Sequence, residues 1–511
     1  MSKRIVLLNG NSLTIKDVID AGKGSVVFEI DESAVIAMTE SRSAVKRILG
    51  KGEVVYGINT GFGALSRVTI EHDQLEELQY NLIRSHACGV GAAMEPEHVL
   101  MMMAIRANTL CIGHSGCRPD VVELLVRMVN EGIAPVVPRI GSLGASGDLA
   151  PLSHMALGMI GEGDCNVRDG GIWAEPQTSF SALENAGLVP LVLQAKEGLS
   201  LINGTSQMCA YLSLCVTNME HLIFAADAST ACSVEAIFGS HTPFDSRVHN
   251  ARPQRGQSIS AARISSLLMG SDINKSHIDC ERVQDAYSFR CAPQVHGPVI
   301  DLLAESRRML QIELNSATDN PLIFTNGSKD DVISGGNFHG QNLSLAGDAL
   351  ALACHELASI SERRINHVMD PQWTGQNAFL ANTEGLESGL MIVQYVAAAL
   401  ISELHLLSNP VSISNVPVSL GKEDHVSMGA TSTFRSMQSS VLLAQVLANE
   451  FVCSSEALRR TELDAGLGVR ATTAWVNSQV PALTSDRAMS KECMELAQAL
   501  LSGGLSEKLG E

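Results

Sequence analysis

Residues 141–152 read Gly141-Ser142-Leu143-Gly144-Ala145-Ser146-Gly147-Asp148-Leu149-Ala150-Pro151-Leu152. A glycine amide is the least hindered backbone nucleophile, so the Gly147 nitrogen can reach the Ala145 carbonyl carbon if the turn is tight. Gly141 and Gly144 permit such a turn because they tolerate backbone angles that other residues avoid. Loss of water from the ring and from Ser146 would leave an exocyclic alkene conjugated to an imidazolone, an electrophile that no ordinary side chain supplies. The bland alternative is a glycine-rich turn ahead of a helix.

Around this run lie 511 residues, 45% of them hydrophobic, with 36 basic and 55 acidic side chains and a net charge of −19. That balance argues against a nucleic-acid partner, whose phosphates it would repel, and favours a soluble protein that handles small molecules. The N-terminus has no long apolar stretch of the secretory kind. The most apolar window, Leu390 to Ile401, is interrupted by Gln394 and is too short to span a membrane. Twelve scattered cysteines without a Cys-x-x-Cys pair read as reduced thiols in a cytoplasmic protein.

The expected fold class is mainly α, a long central helical bundle with a smaller mixed N-terminal domain. Residues 1–110 mix short apolar runs with glycine-rich turns, the clearest being Tyr56-Gly57-Ile58-Asn59-Thr60-Gly61-Phe62-Gly63. Beyond Cys111 helical periodicity dominates. Leu343, Ala346, Leu350, Ala353, Leu357 and Ile360 recur at steps of three and four, with Asp348, His355, Ser359 and Glu362 opposite. Residues 387–408 are apolar nearly all round, which predicts a helix buried on every side. Val299 to Asn315 and Ser436 to Cys453 have a similar pattern. The domains expected are 1–110 with a mobile tyrosine loop, 111–453 as the bundle with the tripeptide, and 454–511 as a helical cap.

Common catalytic signatures fail. His355-Glu356 lacks a second histidine four residues after the first, so no zinc-protease site forms, and no metal is expected. The residues around Ser146 are not a Gly-x-Ser-x-Gly elbow, and no Gly-x-x-x-x-Gly-Lys-Ser/Thr loop exists. Asp148 and His154 could form a triad with Ser146, a weaker reading than cyclisation.

Five further segments stand out beside it: the Tyr56 loop; Leu82-Ile83-Arg84-Ser85-His86-Ala87-Cys88-Gly89; Glu197-Gly198-Leu199-Ser200-Leu201-Ile202-Asn203-Gly204; Gln284-Asp285-Ala286-Tyr287-Ser288-Phe289-Arg290; and Asn337-Phe338-His339-Gly340-Gln341 with Glu423-Asp424-His425-Val426-Ser427-Met428. Together with the 141–153 run they resemble the aromatic amino acid ammonia-lyase and aminomutase family.

The resemblance implies that Ala145, Ser146 and Gly147 form a methylidene-imidazolone (MIO) group autocatalytically, with no external cofactor. It implies that Tyr56 is the base for a poorly acidic β-proton. A phenol normally titrates near ~10, so that role needs nearby positive potential. His86 matches a selectivity position, where an imidazole can hydrogen-bond a polar substrate ring. Asn203 matches a contact to the MIO group and the amino-acid end of the substrate, although it also suits an N-cap for the following helix. Arg290 would clamp the substrate carboxylate with two parallel hydrogen bonds, beside Gln284 as a further binding residue. Tyr287 and Phe338 match residues packed close to the reacting centre.

Glu423, in a run resembling the histidine branch, would pair with an imidazole N–H. The implied reaction is elimination of ammonia from L-histidine to give trans-urocanate, the first step of histidine degradation, in a homotetramer with shared active sites. Lys422, Gln341 and Cys88 depart from that branch. Tyrosine or another amino acid as substrate, an aminomutase outcome and a non-catalytic binding or assembly role therefore stay open.

Overall fold

The computed structural model describes residues 3–51, 54–61, 63–65, 67–278, 282–325 and 330–510. The fold is mainly α, and its strands form short ladders of two to four. The chain divides into two compact units: Met1–Leu214, Arg308–Gly347 and Pro410–Phe434 in the first, and Cys215–Arg307, Asp348–Asn409 and Arg435–Glu511 in the second.

The first unit opens with parallel strands Arg4–Leu8 and Val26–Ile30, joined by the helix Ile15–Lys23. That helix starts at a reciprocal cap: the Asp17 amide donates to Thr14 Oγ1 at 3.1 Å and the Thr14 amide donates to Asp17 Oδ2 at 3.0 Å. It ends at Gly24, whose φ of +65° only glycine adopts without strain. Prolines in the first turn start the helices Pro96–Cys111, Pro119–Glu131 and Ala150–Met159. Pro96–Cys111 is buried from Val99 to Cys111, so it lies inside this unit's core. A fully buried Lys196–Asp319 pair at 2.8 Å ties Arg308–Gly347 to the N-terminal segment.

In the second unit long helices pack around a buried polar centre. Glu450 accepts from Arg364 Nε at 2.6 Å and Nη2 at 2.9 Å, and from the hydroxyls of Ser229, Ser233 and Ser361. The small helices Leu467–Asn477, Ser490–Leu501 and Gly504–Leu509 complete the chain.

The helix Gln341–Val368 buries Leu343, Ala346, Leu350, Ala353 and Leu357, the face its periodicity predicts, while Ile360 is half-buried. Asp348 and Glu362 on the opposite face are buried as well. The 387–408 expectation is corrected. The helix is Met391–Leu407, and among its residues only Ala397 and Leu404 are buried, whereas Ile392, Tyr395, Val396 and Leu406 are exposed. Its own hydropathy does not bury it: the rest of the chain leaves most of that helix's apolar surface uncovered.

Among the described residues, three helical segments, Glu197–Ala236, Gln341–Val368 and Gly429–Leu458, are long and apolar enough by composition to cross a membrane. Their most apolar windows are 72%, 56% and 78% buried within the protein.

Candidate active site

The 141–149 run is an irregular turn held from several sides. Gly144 and Gly147 have φ of +65° and +73°, the left-handed region that a side chain disfavours. A Cβ on Gly147 would lie 2.6 Å from Gly204 N and 2.7 Å from Gly204 C, so the two glycines pack backbone to backbone. The Asp148 amide donates to Gly204 O at 2.6 Å. Gly340 N donates to Gly144 O at 3.0 Å, and Met428 N donates to Leu143 O at 2.8 Å. The Ser427 hydroxyl also donates to Gly144 O, at 2.9 Å.

These contacts gather helix beginnings around the tripeptide. Ala150–Met159 starts directly after it. The helices beginning at Ser206, Gln341 and Gly429 reach the same turn through the Gln207, Gly340 and Met428 amides. Each N-terminus brings partial positive charge. The turn therefore fits an electrophilic group: glycines where a Cβ would collide, a buried Ala145, and amide donors from several directions.

Asp148 and His154 do not form a triad with Ser146. Asp148 Oδ2 accepts from the Gln207 amide at 2.6 Å, and His154 Nε2 accepts from the Gly89 amide at 3.1 Å. Burial pushes the Asp148 carboxyl up to about 7.

Beside the tripeptide lies a cavity of about 510 Å³, a size suited to a small ligand. Tyr56, His86, Ser146, Asn203, Phe338 and Glu423 all line it. Asn203 Nδ2 donates to Ser146 O at 2.8 Å, and among the described residues nothing hydrogen-bonds its buried Oδ1. Asn203 is not an N-cap as the alternative had it: it closes the helix Glu197–Ile202, and the next helix begins at Ser206.

Tyr56 is half-buried, and the Gly63 amide points at its hydroxyl at 3.5 Å. Burial, with smaller contributions from the Glu423 and Asp319 charges, raises the phenol above its ordinary value. His86 sits at the end of the helix Leu75–His86, and its Nδ1 is 2.8 Å from Leu82 O. Burial lowers its imidazole below the ordinary value, against smaller opposing effects of Leu82 O and Glu423. Glu423 is held by a two-residue antiparallel bridge to Val418.

Gln284, Tyr287 and Arg290 belong to the second unit and are not among the residues lining this cavity. They form their own cluster. Arg290 Nη2 donates to Gln284 Oε1 at 3.0 Å, Nε donates to Asp285 O at 3.1 Å, and the guanidinium stacks 4.5 Å from the Tyr287 ring centre. Tyr287 is 70% exposed.

Sequence reasoning missed other polar lining residues: Asn81, Ser85, Asn320 and Ser419. Asn81 and Ser85 share a helix face with Leu82 and His86, so their spacing was readable. Asn320 had no such signal. It lies far along the chain, and its Oδ1 accepts from the Gly335 amide at 2.8 Å and from Ser334 Oγ at 3.1 Å, anchoring the segment that carries Phe338.

The aromatic amino acid lyase family model matches residues 13–478. A histidine ammonia-lyase of Myxococcus xanthus (strain DK1622) is 42% identical over 506 residues, 99% of this chain and 98% of that protein. A second, from Deinococcus radiodurans, is 43% identical, covering 96% of this chain and 93% of that one. Among solved structures, histidine ammonia-lyase from Trypanosoma cruzi superposes with a TM-score of 0.91 at 37% identity, covering 99% and 95% of the two chains. Tyrosine aminomutase from Streptomyces globisporus superposes with a TM-score of 0.91 at 35% identity, covering 99% and 98%. With the glycine-built turn, the helix beginnings around it and the polar-ended cavity beside it, these matches establish that the chain belongs to the aromatic amino acid lyase family.

Proposed function

We propose that this chain is a cytoplasmic carbon–nitrogen lyase that removes ammonia from L-histidine to give trans-urocanate, using an MIO group made from Ala145, Ser146 and Gly147. The observation that carries the reading is the cavity shared by the tripeptide, a tyrosine and two polar ring-binding candidates, His86 and Glu423. Relatives named histidine ammonia-lyase, 41–43% identical over nearly the whole chain, support the substrate.

When formed, the MIO group supplies an electrophile that makes the substrate amine a better leaving group. The chain's own residues do the rest. Tyr56 takes the β-proton at its phenol oxygen. Because burial and the nearby carboxylates raise that phenol, the positive potential it needs comes from the helix N-termini around the turn. Asn203 holds the amino-acid end while its other amide edge fixes Ser146 O. His86 and Glu423 both present acceptors, so they favour a ring that carries an N–H and disfavour a phenyl ring.

Arg290, with Gln284 and Tyr287, is the carboxylate clamp, brought by a different protomer of a homotetramer. The exposure of Tyr287 and of the apolar Met391–Leu407 helix supports association.

The test is turnover of histidine followed by the ultraviolet absorbance of urocanate. No signal with histidine, but cinnamate- or coumarate-like absorbance with phenylalanine or tyrosine, would move the substrate within the family. A β-amino acid product would make the chain an aminomutase. No product from any of the three, with the encoded mass intact, would leave a non-catalytic homologue.

A further inference from the structure

Arg106, on the helix Pro96–Cys111, is a fully buried guanidinium that has no paired carboxylate among the described residues. Its Nε donates to Ser200 O at 3.0 Å and its Nη2 donates to the same oxygen, while among the described residues Nη1 has no partner. The nearby acid Asp319 is already taken by Lys196 at 2.8 Å. Burying a cation without a paired anion is costly. A Cβ on Gly204 would collide with Arg106 Nη1 and lie 3.0 Å from Thr318 Oγ1, itself buried and unpartnered among the described residues. Gly204 also packs against Gly147, on which a Cβ would overlap its backbone, and its carbonyl accepts from the Asp148 amide at 2.6 Å. Arg106 thus lies against a glycine that packs on the tripeptide.

We propose that Arg106 is a positioning residue for ring closure: its buried charge, one glycine behind the tripeptide, favours attack of the Gly147 nitrogen on the Ala145 carbonyl. This rests on the reading of Ala145, Ser146 and Gly147 as the precursor of the MIO group.

In that step the Gly147 N–H adds across the Ala145 C=O. A C–N bond forms, the carbonyl π electrons move to oxygen, and the amide proton ends on that oxygen. The resulting hydroxyl leaves as water with the Ser146 amide hydrogen, creating the ring C=N. The Ser146 hydroxyl leaves as a second water with the Ser146 Cα hydrogen, creating the alkene. No oxidant is needed. As the Gly147 N–H proton departs, negative charge appears on the nitrogen and passes on attack to the Ala145 oxygen, which then takes the proton; a cation in a low-dielectric interior favours that charge. Burial also holds the Asp148 carboxyl partly protonated near neutrality, which leaves less negative charge beside the tripeptide to offset Arg106.

The experiment compares the parent chain with Arg106→Lys, Arg106→Gln and Arg106→Met by intact mass, circular dichroism and thermal midpoint. Parent and Lys variants should both lack two waters. The folded Gln and Met variants should show a modified fraction lower by about tenfold or more, because Gln keeps a donor to Ser200 O but not the charge.

A folded Gln variant with the full two-water deficit overturns the proposal, since hydrogen bonding alone would then suffice. A folded Lys variant at encoded mass overturns it too. If the Met variant does not fold, the Gln variant decides. If both neutral variants fail to fold while Lys folds, the role is structural and the proposal falls. A parent chain at its full encoded mass would instead remove the tripeptide reading itself, so the two failures are distinguishable.

Discussion

His86 donates through Nδ1 to the carbonyl oxygen of Leu82, one helical turn back, at 2.8 Å. A carbonyl only accepts, so this bond fixes the tautomer and makes Nε2 an acceptor. His86→Leu removes that acceptor from the cavity wall. The expected loss in kcat/KM for histidine is about 10- to 100-fold, mostly through KM, with a relative gain for phenylalanine. Steady-state kinetics with both substrates check it, and unchanged selectivity would remove His86 from ring recognition.

Tyr56→Phe should lower kcat by about 10²- to 10⁴-fold with the two-water mass deficit retained, because only the proton acceptor is lost. The Glu423 charge raises the Tyr56 phenol. Glu423→Gln should therefore move the rising limb of the pH–rate profile to lower pH even as KM for histidine increases. A limb that stays in place or moves to higher pH would separate that titration from Tyr56.

Glu450 is buried with Arg364 and three serine hydroxyls. Removing one partner leaves an uncompensated charge, so Glu450→Ala should cost about 3–5 kcal/mol and lower the thermal midpoint, while Arg364→Met with Glu450→Leu recovers most of the loss. A double variant no more stable than the single one would contradict this account.

Asp148 sits fully buried, its carboxyl pushed up from the ordinary 3.8 to about 7. The raised value means the folded chain holds a proton that the unfolded chain releases. That contribution to stability is present below the unfolded value and is lost as pH rises through about 7. Denaturant midpoints at acid and mildly alkaline pH should differ more for the parent than for Asp148→Asn. Equal pH dependence would mean the carboxylate ionises in the fold without cost.

Gly147→Ala combines a φ of +73° with a Cβ overlapping the Gly204 backbone. The expected protein carries its full encoded mass and forms no urocanate. A two-water deficit in this variant would show that the turn tolerates a side chain.

Much of the fold was legible because helices are written in local spacing. The 343–357 stripe faces inward as its steps of three and four require. The 387–408 reading failed for a physical reason: hydropathy measures what a segment would prefer to touch, and one chain does not cover Met391–Leu407 on every side. Tyr287 and Arg290, three residues apart, do stack on one helical turn, yet spacing could not say that neither is among the residues lining the cavity.

The chemical inventory belongs to the sequence alone: a tripeptide able to cyclise, glycines that let it turn, and the side chains able to take a proton or hold a ring. Those follow from covalent structure and short-range spacing. Tertiary structure decided that Tyr56, His86, Ser146, Asn203, Phe338 and Glu423 meet at one cavity, which nitrogen of His86 bears its proton, and that Gly204 packs against both Arg106 and Gly147. Contacts between segments far apart in the chain depend on how whole helices pack, and no local pattern of residues encodes that.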